Sequence, residues 1–315
     1  MNTTPEQLPQ DETVGLPERL RYVRYALLAA AVIALAYLFY AAGPEKIAAT
    51  ASTLNPFWVA AAMLFWIFNL MFAALRLKYL AAPELKYARV LRVVMAGYLL
   101  NFASMVQGLG IGAKLGIMKG YRVPVSRSLA GIGGELILDI FLYGVVTAVF
   151  AGYVGISRSG MDRVSPYVFI TVGVFALSGM VLLPLIASRF DFGVRLLESL
   201  RIAFSTGRLP VNILSSIGIL LMAAASLYCI MRAVGVTVSP LFTASAISVG
   251  FITGLVSLVP GGIGVRDLTW AYVVTSMTGA SMTVTATAAF AQRIFAIPLV
   301  AALLGIWVLA EKRFD

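Results

Sequence analysis

The chain has 315 residues, 60% hydrophobic and 12% charged, with a formal net charge of +10. A soluble domain lies nearer half apolar and a quarter charged, so this composition excludes an ordinary soluble fold and points to a multi-pass, all-α protein of the lipid bilayer. Histidine is absent and Cys229 is the lone cysteine, which removes intramolecular disulfides, the usual zinc sites and His-dependent nucleophile pairs.

Residues 1–18 are polar and carry Glu6, Asp11, Glu12 and Glu18, the composition of a disordered tail. A spanning helix needs about 20 mostly apolar residues, and six stretches meet that standard: Tyr25–Gly43, Pro56–Leu75, Leu129–Tyr153, Pro166–Ala187, Val211–Met231 and Val284–Ala310. The first is too long for a signal-peptide core and follows a long polar lead, so a retained span is expected. Two further stretches are interrupted. Val93–Val106 runs into Gln107-Gly108-Leu109-Gly110-Ile111-Gly112 and resumes as Ala113–Met118. Leu241–Val259 runs into Pro260-Gly261-Gly262-Ile263-Gly264 and resumes as Leu268–Met277. Such breaks suggest re-entrant hairpins or discontinuous helices.

Basic residues orient the spans. Arg19, Arg21 and Arg24 place the N-terminus inside, and Arg76, Lys78, Lys86, Arg89 and Arg92 assign the loop after the second span to the same side. Lys114, Lys119, Arg122 and Arg127 follow the first broken segment, so that segment enters and returns. Arg189, Arg195, Arg201 and Arg208 mark another inside loop, and Lys312 and Arg313 put the C-terminus inside. Each half then makes an odd number of crossings and the second is inverted relative to the first. The expected architecture has about six full spans and two hairpins, eight membrane segments in all. The tail at 1–18 precedes one repeat at 19–153 and a second at 154–315. The same basic pattern argues for membrane orientation rather than nucleic-acid binding, and for a plasma (inner) membrane with both termini cytoplasmic.

Gly110-Ile111-Gly112-Ala113-Lys114 recurs as Gly262-Ile263-Gly264-Val265-Arg266, each copy at the break of its segment and each with a cation two residues after the last glycine. Glycines at a hairpin tip allow close backbone approach and φ > 0. A half-helix starting just beyond them aims its positive end at the cavity, and Lys114 and Arg266 add full charges there. This is the chemistry of an anion site, and in a bilayer a lipid phosphate is an available anion. The alternative is that both cations only snorkel to headgroups.

Charges within spans are costly and are usually functional or paired. Glu135 and Asp139 are four apart and share a helix face, roughly 12 and 18 Å beyond Arg127 at 1.5 Å per residue. Arg293 lies roughly 14 Å beyond Val284 by the same measure. Two readings stand for these three. One is a static salt bridge between the halves, and the other is a polar or proton-carrying element of a transport path. Asn69, Asn101 and Gln107 fit interhelical hydrogen bonds better than ligand contacts.

Pro260-Gly261-Gly262-Ile263-Gly264-Val265-Arg266-Asp267 resembles a signature of the membrane region of lysylphosphatidylglycerol synthases and flippases, a family with stand-alone relatives that include proteins linked to hopanoid synthesis. The family pattern is Pro-Gly-Gly-hydrophobic-Gly-x-x-Glu, and Asp267 stands here in place of the glutamate. Gln292-Arg293-Ile294 with Pro298 is similar to the family's arginine-containing last span, and Glu135 and Asp139 are similar to its Glu/Arg-x-x-x-Asp. In the first half the glycines persist but the family's carboxylate does not, Ala113 and Leu115 standing about where it would be.

The resemblance covers roughly Leu20 to Arg313 and implies a helical inverted-repeat lipid translocator without the soluble aminoacyl-transferase domain of bifunctional members, hence no enzyme and no cofactor. The expected function is a flippase or transporter of a polar-headgroup lipid, anionic or glycosylated. The expected site comprises Gly110, Gly112, Lys114, Glu135, Asp139, Pro260, Gly261, Gly262, Gly264, Arg266, Asp267 and Arg293. The alternatives are a secondary transporter of a small anion and a non-transporting lipid-binding partner of a membrane synthase. Membrane lipids are the expected partners, with a lipid-synthesis enzyme or a second copy of the chain as further candidates. No ATP-binding Gly-x-x-x-x-Gly-Lys-Ser/Thr run is present, so movement is downhill or driven by a gradient.

Overall fold

A computed structural model describes residues 45, 52–104, 107–157, 201, 207–256 and 265–311. Among them every regular element is α-helical. The helices are α1 (Pro56–Ala81), α2 (Tyr87–Ser104), α3 (Gln107–Gly120), α4 (Val125–Ser157), α5 (Leu209–Ala233), α6 (Pro240–Val256), α7 (Val265–Thr278) and α8 (Met282–Glu311). Among the described residues three helical stretches are long and apolar enough to cross a bilayer by themselves: α1, Val125–Phe150 of α4, and α5, with mean hydropathies of 2.0, 1.8 and 2.2. The expected spans at 25–43 and 166–187 lie outside the described residues, as do Pro260, Gly261, Gly262 and Gly264.

Local sequence sets the helix ends. Asn55 caps α1, its side chain accepting from the Phe57 N–H at 3.0 Å, with Pro56 in the first turn, where the missing N–H costs nothing. The Asn55 N–H in turn donates to the Ala233 carbonyl at 3.1 Å, so the start of α1 is tied to the end of α5. Gly235 closes α5 in the left-handed region, at φ 79, which glycine adopts without strain.

Antiparallel α1 and α5 form the centre. Contacts run from Asn55 against Ala233, through the Asn69 amide donating to the Ile219 carbonyl at 2.7 Å, to Arg76 beside Ser216. Helices α2 and α3 form one hairpin: a Cβ at Gly97 would stand 2.8 Å from Lys114 Cγ, while Gly110 abuts Asn101 nearer the turn. Helices α6 and α7 form a second, joined by a hydrogen bond of 3.2 Å between the Thr253 and Thr269 hydroxyls. One apolar cluster gathers the first half of α1, the second half of α5, α6, α7 and the start of α8. Another gathers the second half of α1, α2, the Met118 region and the later part of α8. The two hairpins thus pack toward opposite ends of the central pair. Helix lengths follow suit: 26, 18, 14 and 33 residues in α1 to α4 recur as 25, 17, 14 and 30 in α5 to α8.

Several hydroxyl groups within the apolar helices are satisfied locally, while those of Ser128, Thr147 and Ser215 are buried without a hydrogen-bond partner. Ser245, Ser248 and Thr287 donate to carbonyls four residues back, each at 2.8 Å, which removes the cost of placing them where water is scarce.

Two sequence expectations are corrected. The second span does not stop at Leu75: α1 continues to Ala81 and carries Arg76 within it, 4% exposed, rather than in a surface loop. In the first broken segment the glycine cluster is itself helical: Gln107–Gly120 forms α3, and Gly110 and Gly112 sit in its turns. The described glycines with positive φ are Gly207, Gly235 and Gly279. Close approach, not left-handed backbone, explains Gly110: a Cβ there would collide with the Asn101 side chain and the Gly97 carbonyl, whereas nothing crowds Gly112. Gly-rich sequence marks a close helix contact as readily as a loop, and hydropathy cannot separate the two.

Candidate functional site

A cavity of about 670 Å³ opens between the hairpins, and all eight helices contribute to its wall. Its charged lining is Arg76 from α1, Lys114 from α3, Glu135 and Asp139 from α4, and Arg266 from α7. Trp66, Tyr98, Tyr143, Phe251 and Trp270 supply aromatic surface, and Asn69, Asn101 and Gln292 supply polar groups.

The charges form one connected set. Arg76 grips Asp139 with both terminal nitrogens, Nη1 to Oδ1 and Nη2 to Oδ2, the latter at 3.0 Å. The same Nη1 donates to the Ser216 hydroxyl on α5 at 3.0 Å. Lys114 Nζ donates to Glu135 Oε2 at 2.8 Å, and the other oxygen of Glu135 lies 3.9 Å from Arg76 Nε. The i, i+4 spacing of Glu135 and Asp139 therefore lets one arginine address both. A fork matched to a carboxylate is the strong form of such a pair, and burial of Arg76 and Glu135 at 4% and 6% exposure keeps water from screening it.

Lys114 reaches Glu135 by lying across Gly97, a site where any side chain would obstruct its stem. In the second hairpin Gly250 plays the same part for Arg266, whose Cγ would be 3.3 Å from a Cβ there. Arg266 Nε also stands 4.0 Å from Asp267 Oδ1, and Asp267 is 3% exposed in the first turn of α7. Both repeat cations thus cross a glycine of the preceding helix and reach the same cavity.

Of the expected site residues, Gly110, Lys114, Glu135, Asp139 and Arg266 line the cavity. Asp267 is buried behind Arg266, and Gly112 is exposed outside the lining. Arg293 lies on α8, with its side chain, like that of Gln107, outside the described ones. Arg76 is the residue that sequence reading missed. The available signal was the apolar run Leu77, Tyr79-Leu80-Ala81 beyond it, which continues the helix past Leu75, and its spacing of seven from Asn69, which puts both on one face. Among the described residues no cluster of three or more His, Cys, Asp or Glu side chains could hold a metal ion.

No curated protein matches the chain. The model of the lysylphosphatidylglycerol synthase transmembrane region, by contrast, matches residues 24–309, nearly the whole chain. A helical membrane protein with a charged cavity among its spans is thereby assigned: the chain belongs to the lysylphosphatidylglycerol synthase transmembrane-region family.

Proposed function

We propose that this protein translocates a polar-headgroup lipid, anionic or glycosylated, with the headgroup passing through the central cavity and the acyl chains remaining in the bilayer. The observation that carries the reading is the convergence of Arg76, Lys114 and Arg266 from three helices on one cavity of about 670 Å³, a volume within the range of roughly 300–1,000 Å³ usual for small-ligand sites. Membership of a family of lipid-related membrane domains supports lipid as the cargo.

One further feature favours a lipid over a soluble anion. An apolar groove of about 320 Å³ lies between α4 and α5, lined by Leu138, Phe141, Leu142, Ile213 and Ile217 together with Ser216. Ser216 is the hydroxyl held by Arg76, so the groove adjoins the charged set. A headgroup in the cavity and a chain in the groove would be joined across that point.

The antiparallel central helices and the recurring helix lengths support two inverted repeats, 19–153 and 154–315, meeting around the cavity. Lys114 and Arg266 are then equivalent contacts offered to the headgroup by the two halves. The reading includes an inner-membrane location with both termini cytoplasmic, and it assigns the protein transport and no catalysis.

The test is exchange of fluorescent phosphatidylglycerol between leaflets of phosphatidylcholine proteoliposomes, followed by dithionite quenching. The expected result is protein-dependent exchange that falls at least tenfold in Lys114→Ala and Arg266→Ala. Equal rates with and without protein, for anionic, neutral and glycosylated probes alike, would remove the lipid reading. Uptake of a soluble anion in place of lipid exchange would turn the same cavity to the secondary-transporter alternative.

A further inference from the structure

Among the described residues, the charges in and beside the cavity balance. Arg76, Lys114 and Arg266 face Glu135 and Asp139 in the lining, and Asp267 stands beside Arg266 at 4.0 Å. Three described cations therefore meet three described carboxylates.

The two lining carboxylates are held differently. Asp139 receives two hydrogen bonds from one planar guanidinium, itself fixed to Ser216. Glu135 receives one, from the Lys114 ammonium at 2.8 Å. The remaining Glu135 oxygen, Oε1, is buried without a hydrogen-bond partner. The nearest donor is Arg76 Nε at 3.9 Å, a group that also makes no hydrogen bond. Glu135 thus takes its one hydrogen bond from a point charge at the end of a flexible stem, with the Arg76 guanidinium a more distant ion-pair partner.

The one further described cation beside Glu135, Arg76, has its terminal nitrogens committed to Asp139 and Ser216. Among the elements packed against α4, α1 presents Arg76 and α3 presents Lys114. Helix α5 brings Ser216, its ionisable Tyr228, Cys229 and Arg232 lying at its other end, and α6 contains no ionisable residue. Asp139 and Tyr143 follow Glu135 on α4, while Tyr98 and Arg266 complete the ionisable lining from α2 and α7.

An anionic headgroup entering this cavity competes with Glu135 for Lys114, an ammonium held there by one hydrogen bond. When the ammonium turns to the anion, Glu135, 6% exposed, loses its hydrogen bond. A buried carboxylate left without a hydrogen bond is costly to keep charged, and a proton on it removes that cost.

We propose that translocation is coupled to protons through Glu135. The carboxylate takes one proton from water on the side to which the cavity is open as the anion draws Lys114 away. It releases that proton on the opposite side when the anion leaves and the ammonium returns. One singly charged headgroup and one proton cross together, with no net charge moved. This coupling rests on the anionic-lipid reading of the cavity given above.

The experiment uses the full chain in phosphatidylcholine vesicles containing fluorescent phosphatidylglycerol, with a one-unit pH gradient and, separately, a potassium–valinomycin potential. One-to-one coupling drives the probe toward the alkaline leaflet, up to tenfold per pH unit, since one unit is worth 1.36 kcal/mol. The potential has no effect on its distribution. In Glu135→Gln the response to the gradient disappears whatever exchange rate remains, while Glu135→Asp retains it. A wild-type distribution that ignores the pH gradient, or that follows the potential, overturns the coupling and leaves lipid exchange standing. Movement of inorganic phosphate, but not of the lipid, with the gradient would keep the coupling and remove the lipid reading. No movement of either probe removes both.

Discussion

Replacing Arg76 by leucine isolates the buried charge set. The substitution leaves Asp139 without either of its guanidinium hydrogen bonds and Ser216 without its donor, and it takes the second cation from the vicinity of Glu135. Removing one member of a buried ion pair costs about 3–5 kcal/mol, because the other charge stays behind uncompensated. At about 2–4 °C per kcal/mol for a domain of 150–250 residues, the midpoint of thermal unfolding should fall by roughly 6–20 °C. The double variant Arg76→Leu with Asp139→Leu removes both charges and should recover most of that loss, since an apolar pair of similar volume is often neutral or better. Thermal unfolding in detergent micelles, followed by tryptophan fluorescence, measures wild type, each single variant and the double variant. A single variant within about 0.5 kcal/mol of wild type, the effect usual for a surface position, would refute the buried assignment. So would strict additivity of the two substitutions, because residues in contact couple by about 0.5–3 kcal/mol.

Further expectations concern separate parts of the molecule. Gly110→Val should be destabilising by more than about 2 kcal/mol because its side chain meets Asn101 and the Gly97 carbonyl. Gly112→Ala should be neutral or stabilising by up to about 1 kcal/mol, the helix-propensity gain at an uncrowded site, and thermal melting ranks the pair. Asn69→Leu removes the 2.7 Å bond to the Ile219 carbonyl and should cost about 0.6 kcal/mol, the average for hydrogen bonds between membrane helices, and at most about 1.7 kcal/mol. Arg127→Ala breaks only an exposed 3.3 Å pair with Glu84, so its stability should stay within about 0.5 kcal/mol of wild type and its lipid exchange rate should match. Loss of exchange in that variant comparable to the loss in Arg266→Ala would undo the cavity assignment.

Sequence made the broad architecture legible because hydropathy acts over whole segments. The runs beginning at Pro56, Leu129 and Val211 needed no tertiary information to be read as helices. Their ends were less legible. Arg76 closes the apolar window at Leu75, and an arginine that snorkels outward has the same hydropathy as one turned inward to a carboxylate. The difference lies in Asp139, 63 positions away, which no local pattern reveals. Glu135 and Asp139 were readable as one face because helical spacing is local, but their partners were not. The glycine clusters were readable as special and misread in kind: Gly110 serves contact with α2, a relation visible only once the hairpin is closed. Trp66, Tyr98 and Trp270 carried no signal at all, since aromatic residues are ordinary in apolar helices.

The claim on which the account turns is that the cavity holds a headgroup between the two hairpins. A density map of the protein in nanodiscs of anionic lipid tests it most directly. Headgroup density is expected within about 4 Å of the Lys114 and Arg266 charges, the range of an ion pair, with a chain leading toward Ser216. A map with lipid ordered around the outer surface and none between Lys114 and Arg266 would contradict it.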